Sequence, residues 1–419
     1  MRLIVAGIDY RTAPVEVREQ VAISSECLPD ALAALRQYVP QAVVLSTCNR
    51  TEVYATDEDG IRSEADLTAF LESRLAEHGC SQLPAVSVLT DDAAFRHLFR
   101  ITSGLESMIV GEYEILGQVS HALEVAEKVG MVNLSLRRLF QSAIRTGRRV
   151  REETGISRNA LSVSSVAVNS AAAVFGDLSR CRMLVIGTGE AGQLVAKVAR
   201  EKGTSHIVIA SRTRDRAQAL ATGLGATATD TSNIHEELRH ADIVVTCTGA
   251  PHQILDVDLV TRVMAERTAT PMVIIDIGVP RNVDPNVRSV ANVHLQDIDD
   301  LNRTADAHRR QREQEIQQAE HIVAEEVERF AAWWREVDVR PLVTALMNRA
   351  ESVRSAQLGK TVRKLPPLSP EQMESLESMT KSIVTRLLQD PIDYLKSNGN
   401  GHHSDVLKRA FHLDTEEPS

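Results

Sequence analysis

The chain has 419 residues, too many for one ordinary hydrophobic core, so we expect two or three domains. Apolar residues make up 43% and charged residues 25%, a balance that excludes global disorder. The net charge of -10 argues against indiscriminate nucleic-acid binding, and any RNA contact must therefore be regional.

The first region, residues 1–154, mixes short strands with amphipathic helices. Apolar, β-rich runs predict strands at Leu3 to Ile8 and Ala42 to Thr47, and helical spacing of apolar residues predicts helices at Asp91 to Ser103 and Glu112 to Gly130. This pattern predicts an α+β domain. The chain opens directly on a strand, and no run approaches the ~20 apolar residues of a membrane span. We therefore expect a cytoplasmic protein without membrane association.

The second region, residues 155–300, begins with a Ser-rich helical stretch, Leu161 to Ala173, and then alternates strands with helical or loop segments. The predicted strands are Met183 to Ile186, Ile207 to Ala210, Ile243 to Thr246 and Met272 to Asp276. Such alternation is typical of a parallel sheet with helical crossovers.

The third region, residues 301–396, is predicted to be all helical. A long, densely charged helix from Leu301 to Val339 is followed after Pro341 by another segment to about Val362, and a Pro-rich interruption precedes a last amphipathic helix. A long helix with such apolar faces predicts an oligomerisation module. Residues 397–419 are predicted to be a flexible tail.

A glycine-rich turn connects the strand at Met183 to Ile186 with a helix from Gln193 to Lys202. The turn consists of Gly187, Thr188, Gly189, Glu190, Ala191 and Gly192. Glycines at this spacing allow backbone N–H groups to approach a pyrophosphate at the helix N-terminus. The context predicts a Rossmann-type dinucleotide site, although a glycine turn without a ligand has the same pattern.

The next strand ends in Ser211, Arg212 and Thr213, where an NAD enzyme usually offers a carboxylate to the ribose. A guanidinium there suits a 2′-phosphate, so the sequence favours NADPH over NADH. The alternative is that Arg212 or Arg214 is a solvated residue at a helix start.

The chain has scattered cysteines, Cys27, Cys48, Cys80, Cys181 and Cys247, and their odd number without a C-x-x-C pair predicts neither a disulfide framework nor a zinc site. Cys48 lies at a strand end beside Arg50, a cation expected to favour the thiolate and hence a nucleophile. A small buried hydrophobe is the competing interpretation. Cys247, at another strand end near the expected nicotinamide position, is an internal rival.

Several motifs resemble the glutamyl-tRNA reductase family over about nine tenths of the chain. They are Tyr10 to Glu19, Ser46 to Tyr54, Gly104 to Glu112, Ile115 to Val119, Gly187 to Gly192, Ile275 to Arg281 and Glu325 to Trp333. The resemblance implies an α/β multidomain protein with an N-terminal α+β catalytic domain, a Rossmann-type NADP-binding domain, and a spinal helix leading to an all-α dimerisation domain.

The resemblance also implies roles for individual residues. Cys48 would attack the glutamyl ester of the tRNA to give a thioester, which NADPH reduces to the semialdehyde, and His97 would be a second residue important for activity. The implied substrate contacts are Thr47, Asn49, Arg50, Ser107, Glu112, Tyr113, Glu114 and Gln118. Because the thiol and the nucleotide belong to different domains, a rotation near Gly155 to Leu161 is expected to bring them together.

The expected partners are glutamyl-tRNA, a second copy of the chain and, transiently, glutamate-1-semialdehyde aminomutase. A helix-sized stretch offers six arginines to tRNA phosphates: Arg137, Arg138, Arg145, Arg148, Arg149 and Arg151. The competing interpretation is a solvated, salt-bridged helix face.

Two other functions are compatible with parts of the sequence. A shikimate-dehydrogenase-like NADPH oxidoreductase would share the Rossmann region, but such an enzyme does not require the thiol motif around Cys48. A non-catalytic tRNA-binding or partner-binding protein would be expected to have a damaged glycine turn or thiol motif, and both are intact.

Overall fold

The computed structural model describes residues 2–57, 64–77, 86–157, 162–267, 270–301, 312–398, 406 and 409–413. The chain divides into two compact units, Met1–Val327 and Glu328–Ser419. Cys80, part of the expected hinge and most of the expected tail lie outside the described residues. Among the described helices, none is both long and apolar enough to cross a bilayer.

The first unit begins with a four-stranded antiparallel sheet and its helices, which we call the thiol domain (described residues up to 157). Its strands are β1 (Arg2–Asp9), β2 (Ala42–Ser46), β3 (Arg50–Asp57) and β4 (Ser87–Thr90), in the order β2-β3-β1-β4. Its helices are α1 (Val15–Val21), α2 (Leu28–Leu35), α3 (Glu64–Glu77), α4 (Asp91–Thr102), α5 (Glu114–Val129) and α6 (Leu134–Glu153). Local signals set the helix ends: Gly130 ends α5 in the left-handed conformation, and Asn133 caps α6.

The nucleotide domain (described residues 162–301) contains a parallel six-stranded sheet. Its strands are β5 (Arg182–Ile186), β6 (His206–Ser211), β7 (Thr227–Asp230), β8 (Ile243–Thr246), β9 (Met272–Asp276) and β10 (Val293–Asp297). Its helices are α7 (Val163–Phe175), α8 (Glu190–Glu201), α9 (Arg214–Leu224), α10 (Ile234–His240) and α11 (Val257–Glu266). The order β10-β9-β8-β5-β6-β7 is that of a doubly wound dinucleotide-binding fold, with its switch point between β5 and β8.

Both faces of the central part of this sheet are buried, and its strands β5, β8 and β9 are accordingly almost continuous apolar runs, whereas the edge strands β7 and β10 are partly polar. One face packs on α7 and α8, and its cluster includes Met108 and Ile109 of the thiol domain. The same cluster has Cys48 at its margin. The two domains therefore share apolar packing beside the thiol.

The third region is helical, as expected, but its first interruption was placed wrongly. Helix α12 (Glu313–Val362) continues through Pro341, whereas the sequence predicted separate segments there. A proline inside a helix removes one backbone donor and does not always end the helix, because flanking turns can hold it. Helix α13 (Pro370–Asn398) follows the Pro-rich interruption and extends to Asn398, two positions inside the predicted tail.

Candidate active site

Cys48 lies at the tip of the tight hairpin between β2 and β3. The Thr47 N–H donates to the Arg50 carbonyl at 2.8 Å, and the Tyr10 N–H donates to the Asn49 carbonyl at 2.9 Å. These bonds fix the three-residue connection and direct it out of the sheet. The position agrees with the sequence expectation that the thiol follows a strand.

The thiol lines a cavity between the thiol domain and the nucleotide domain. Eight residues predicted for catalysis or substrate binding meet there: Thr47, Cys48, Asn49, Arg50, Ser107, Glu112, Glu114 and Gln118. The other wall residues are Ile115, Val163, Ser164, Ala191, Ile277 and Ile298. Ala191 belongs to the glycine turn, so part of the expected nucleotide site reaches the thiol. The apolar wall was missed from the sequence because strand-end isoleucines look like ordinary core residues.

The cavity is small, with a volume of 40 Å³. The walls of this space come from both domains, and we call the arrangement in which they meet beside Cys48 the closed state. The nucleotide domain supplies five of the wall residues, which makes its movement the direct way to open the cavity.

The electrostatic setting of Cys48 differs from the sequence expectation. Burial, helped by the charges of Glu112 and Glu114, raises the pKa of the Cys48 thiol to about 12, while Arg18 acts in the opposite direction. Arg50 was expected to favour the thiolate, but that was wrong for this arrangement because its guanidinium is bound elsewhere. In the closed state the thiol is held neutral.

Arg50 belongs to a buried polar network centred on Glu52. The Glu52 carboxylate accepts from Arg50 Nη1 at 2.8 Å and from the Tyr54 hydroxyl at 2.6 Å, and His97 Nε2 lies 2.9 Å from it. Burial alone would raise the pKa of Glu52, but His97 and Arg50 hold it well below its usual range. Arg50 Nη2 also donates to the Glu106 carbonyl at 2.6 Å. Glu52 was not predicted as a site residue, because a glutamate within a strand has no local sequence signal that marks it as functional.

His97, on α4, is not among the residues that line the Cys48 cavity. It lines a second cavity of 190 Å³ together with Asp9 and Arg11. Its connection to the thiol hairpin runs through Glu52 and Arg50. In this arrangement His97 is suited to hold Arg50 in place through Glu52, and not to exchange a proton with Cys48 directly.

The start of α5 brings two carboxylates to the cavity. Glu112 is buried, and burial raises its pKa. Burial raises the pKa of Glu114 to about 7, helped by Glu112 and Glu190, and its Oε1 has no hydrogen-bond partner among the described residues. Tyr113, between them, points away: it is 64% exposed and its hydroxyl donates to the Ser157 carbonyl.

The glycine turn has the geometry of a dinucleotide cradle. A Cβ on Gly192 would lie 2.2 Å from the Gly187 carbonyl oxygen, and Gly187 itself has a φ of +129°. A Cβ on Gly189 would meet nothing within 4 Å, so the space in front of that residue is open. Helix α8 begins at Glu190 without a side-chain cap, which leaves its first N–H groups available to a phosphate.

The remaining nucleotide-site candidates lie beside this turn. The Thr188 and Ser211 hydroxyls are 3.5 Å apart, and the Thr213 N–H donates to Ser211 Oγ at 3.3 Å. Arg212 is exposed at the end of β6. Cys247 lies beneath the turn, where its thiol donates to the Ile186 carbonyl at 3.3 Å and burial raises its pKa to about 12.

Four of the six arginines on α6 divide into two groups, and a fifth, Arg137, pairs with Glu127. Arg149 pairs with Glu153, Glu325 and Glu326, and Arg151 donates to backbone carbonyls. These two are structural. Arg145 and Arg148, by contrast, line a shallow surface depression.

Family models match three consecutive segments of the chain. The glutamyl-tRNAGlu reductase N-terminal domain matches residues 6–154, and the dimerisation domain of the same enzyme matches residues 318–413. Between them, a shikimate / quinate 5-dehydrogenase model matches residues 169–304, which is essentially the nucleotide domain alone. A shikimate-dehydrogenase-like enzyme is therefore not favoured, because both flanking segments match the reductase.

Similarity to individual proteins extends over nearly the whole chain. A glutamyl-tRNA reductase of Natranaerobius thermophilus is 39% identical over 99% of this chain and 93% of its own length. One from Rubrobacter xylanophilus is 41% identical over 95% of this chain and 92% of its own. The solved structure of glutamyl-tRNA reductase from Methanopyrus kandleri is 32% identical, with a TM-score of 0.51 over 99% of both chains. The chain thus belongs to the glutamyl-tRNA reductase family.

Proposed function

We propose that this protein is a glutamyl-tRNA reductase in which Cys48 is the nucleophile. It would convert the glutamyl group of charged tRNA to glutamate-1-semialdehyde, the first step of tetrapyrrole synthesis by the C5 route. The observation that carries the proposal is the shared cavity, in which the thiol at the β2–β3 turn and Ala191 of the glycine turn are wall residues. A two-step transfer and reduction needs these two parts side by side.

The thiol step forms one bond and breaks another. The Cys48 sulfur attacks the ester carbonyl carbon, the ester C–O bond breaks, and the tRNA 3′ oxygen leaves and takes up a proton. The product is a thioester on Cys48, which is more electrophilic than the ester because sulfur donates weakly into the carbonyl. The half-buried thiol must first lose its proton, and opening of the cavity favours that by exposing it further to water.

The carboxylates of α5 suit the ammonium group of the glutamyl residue. Glu114 has a buried oxygen without a partner among the described residues, and a positive ligand would satisfy it. Arg50 is held at the cavity wall by Glu52 and is the candidate partner of the side-chain carboxylate. Ser107 and Gln118 complete the proposed contacts, whereas Tyr113 would join them only after a rearrangement.

The nicotinamide cofactor is proposed to be NADPH. When bound, it supplies the hydride that reduces the thioester. Gly187, Gly189 and Gly192 would admit the pyrophosphate, and Arg212 would bind the 2′-phosphate. Arg212→Asp is expected to reverse the preference for NADPH over NADH, measured by the two dissociation constants. An unchanged preference would remove Arg212 from this role.

The exposed arginines of α6 are proposed to contact tRNA phosphates. Arg145→Ala with Arg148→Ala should weaken tRNA binding and reduce the slope of log K against log salt concentration by about one for each lost contact. Arg182→Ala on the nucleotide domain is a suitable control, since that side chain is paired with Glu237. Unaltered binding by the double variant would argue against this surface.

We further propose that the protein is a homodimer and passes its product to glutamate-1-semialdehyde aminomutase. The match of residues 318–413 to a dimerisation domain supports the first part. Met379, Ile383 and Leu387 of α13 are 52%, 50% and 70% exposed at helical spacing, as expected of a face that another chain covers. Direct transfer is supported only by the reactivity of the aldehyde.

The decisive experiment is to trap the acyl-enzyme. Protein is mixed with tRNA carrying labelled glutamate in the absence of NADPH, and the modified peptide is identified by mass spectrometry. We expect label on Cys48, loss of label in Cys48→Ser, and retention in Cys247→Ser. Label that persists in Cys48→Ser but disappears in Cys247→Ser would assign the acyl group to Cys247 instead.

A further inference from the structure

Helix α1 of the thiol domain is bound to the nucleotide domain through Arg281. The Arg281 N–H and Nε each donate to Glu19 Oε2 at 3.0 Å, and Nη2 donates to Glu19 Oε1 at 2.8 Å. Arg281 Nη1 also donates to Glu16 at 2.8 Å. The side chains of Arg281 and Glu19 are 14% and 19% exposed, so this fork is largely shielded from solvent, unlike most surface ion pairs.

A second connection runs from Asp299 to the start of the same helix. Asp299 Oδ2 accepts from the Val15 N–H at 3.1 Å, and Oδ1 accepts from Arg18 Nη2 at 2.7 Å. Pro14, which precedes α1, provides no side-chain cap, so a residue of the other domain satisfies a donor at the helix start. Arg18 is 2% exposed, and its Nε and Nη1 have no hydrogen-bond partner among the described residues. Asp299 thus supplies a negative charge to the nearly buried guanidinium of Arg18.

Both connections lie next to the wall of the thiol cavity. Arg281 follows Ile277 by four residues, and Asp299 follows Ile298 directly, and both isoleucines line the cavity. The two segments leave the carboxyl ends of β9 and β10, neighbouring strands of the parallel sheet. This edge is where ligands bind in such sheets. The same segments therefore close the cavity and hold α1.

We propose that α1 is a latch for the reduction step: the Arg281–Glu19 pair and the contacts of Asp299 with Val15 and Arg18 hold the nucleotide domain closed over acylated Cys48. The proposal rests on the proposed function. Arg281, Glu19 and Asp299 are positioning residues, since none of them lines the cavity. The latch opens for acylation, which brings the ester of a bulky tRNA to a thiol walled by both domains, and it closes for reduction.

Opening of the latch has opposite effects on acylation and on reduction. Breaking it lowers the closed fraction and therefore slows reduction, but it leaves acylation unchanged or faster. A shift of about 1.4 kcal/mol in the opening equilibrium corresponds to a tenfold change in that equilibrium constant. A thioester that stays exposed to water is hydrolysed to glutamate and free thiol, so a broken latch also diverts product from aldehyde to glutamate.

The test uses full-length protein and a charge exchange. Glu19→Arg and Arg281→Glu each place like charges together, and the double variant restores an opposite pair. Arg281→Gln removes the pair without repulsion, should the charge reversals fold poorly. Arg239→Glu is the matched control, because Arg239 forms ion pairs with Glu236 and Glu266 on the surface of the nucleotide domain, away from the cavity walls.

The first measurement needs neither NADPH nor tRNA. Alkylation of Cys48 by iodoacetamide is followed by peptide mass spectrometry, which separates it from exposed Cys27. We expect each single variant to react at least about tenfold faster than the unaltered protein. The double variant and the Arg239→Glu control should react at nearly the rate of the unaltered protein. Equal rates in all variants would overturn the latch.

The second measurement separates the two chemical steps. Acylation is timed by tRNA release without NADPH, and reduction is timed after saturating NADPH is added to preformed thioester. We expect acylation unchanged or up to about tenfold faster, reduction slowed about tenfold, more glutamate among the products, and recovery in the double variant. Equal slowing of both steps, or no recovery, would overturn the proposal. Absence of any Cys48 adduct in the unaltered protein would instead defeat the proposed function.

Discussion

Replacing Glu52 by Gln tests the buried network behind the thiol hairpin. Glu52 and Arg50 have side chains that are 5% and 2% exposed, so the substitution leaves a buried guanidinium without its counter-ion. Breaking a buried pair in this way costs about 3–5 kcal/mol, because the remaining charge stays desolvated. Tyr54→Phe removes only one hydrogen bond to the same carboxylate, a loss of about 2 kcal/mol, and serves as the matched control.

The measurement is native-state hydrogen exchange of the β3 amides, because a chain of several domains need not unfold in one step. A loss of about 3 kcal/mol accelerates exchange through unfolding at least about a hundredfold. The pKa of Glu52 is lowered by folding, so its contribution is present above the unfolded value of 4.5 and is lost as pH falls. The difference between Glu52→Gln and the unaltered protein should therefore shrink at acid pH. Near-equal exchange at neutral pH, or a difference that grows on acidification, would refute the reasoning.

Two further predictions concern the nucleotide domain. Gly189→Ala should leave stability unchanged but weaken NADPH binding, since its Cβ enters open space where the pyrophosphate is expected. Gly192→Ala should weaken binding and also lower the melting temperature, because its Cβ would meet the Gly187 carbonyl. Asp276→Asn should cost about 1–3 kcal/mol in chemical denaturation, because its amide would place a donor against N–H groups such as that of Asn282. Equal NADPH affinity in Gly189→Ala, or unchanged stability in Asp276→Asn, would contradict these arguments.

The parts of the site that sequence could predict depend on short segments. The strand, glycine turn and helix from β5 to α8 follow one another directly, so their pattern is recognised from the sequence without tertiary information. The strand that leads to Cys48 is similarly local, and its end was placed within a residue, whereas the returning strand β3 was not predicted. The identity of the substrate was then inferred from the family motifs, because the spacing of residues alone does not specify a substrate.

The parts that sequence could not predict depend on distant pairs. Asp299 meets Val15 across 284 positions, and nothing near either residue indicates the other. The charge at Cys48 is a related case. Proximity along the chain suggested Arg50 as its partner, but residues two apart on a strand share a face, so Arg50 lies beside Glu52, which binds its guanidinium. Which charged groups lie near the Cys48 thiol depends on how the domains pack together.

The carboxylate of Glu114 allows the electrostatics of that thiol to be tested by pH. Burial raises the pKa of Glu114 to about 7 and that of Cys48 to about 12, with Glu114 contributing to the second shift. Above about pH 7 the ionised Glu114 therefore opposes thiolate formation. Glu114→Gln should alkylate at Cys48 roughly three- to tenfold faster at about pH 8, the effect of a pKa change of about half to one unit, and at nearly the unaltered rate near pH 6.

The stability of the same variant has a predictable sign. A carboxyl whose pKa is raised by folding stabilises below its unfolded value of 4.5, and that contribution is lost as pH rises towards about 7. Glu114→Gln should therefore gain stability relative to the unaltered protein between those values, measured by thermal unfolding across pH. Glu124→Gln, on the exposed face of the same helix, is the control. If Glu114→Gln slowed alkylation at about pH 8, the carboxylate would be assisting the thiol, and the closed cavity would have to be a site that activates Cys48 and not one that keeps it neutral.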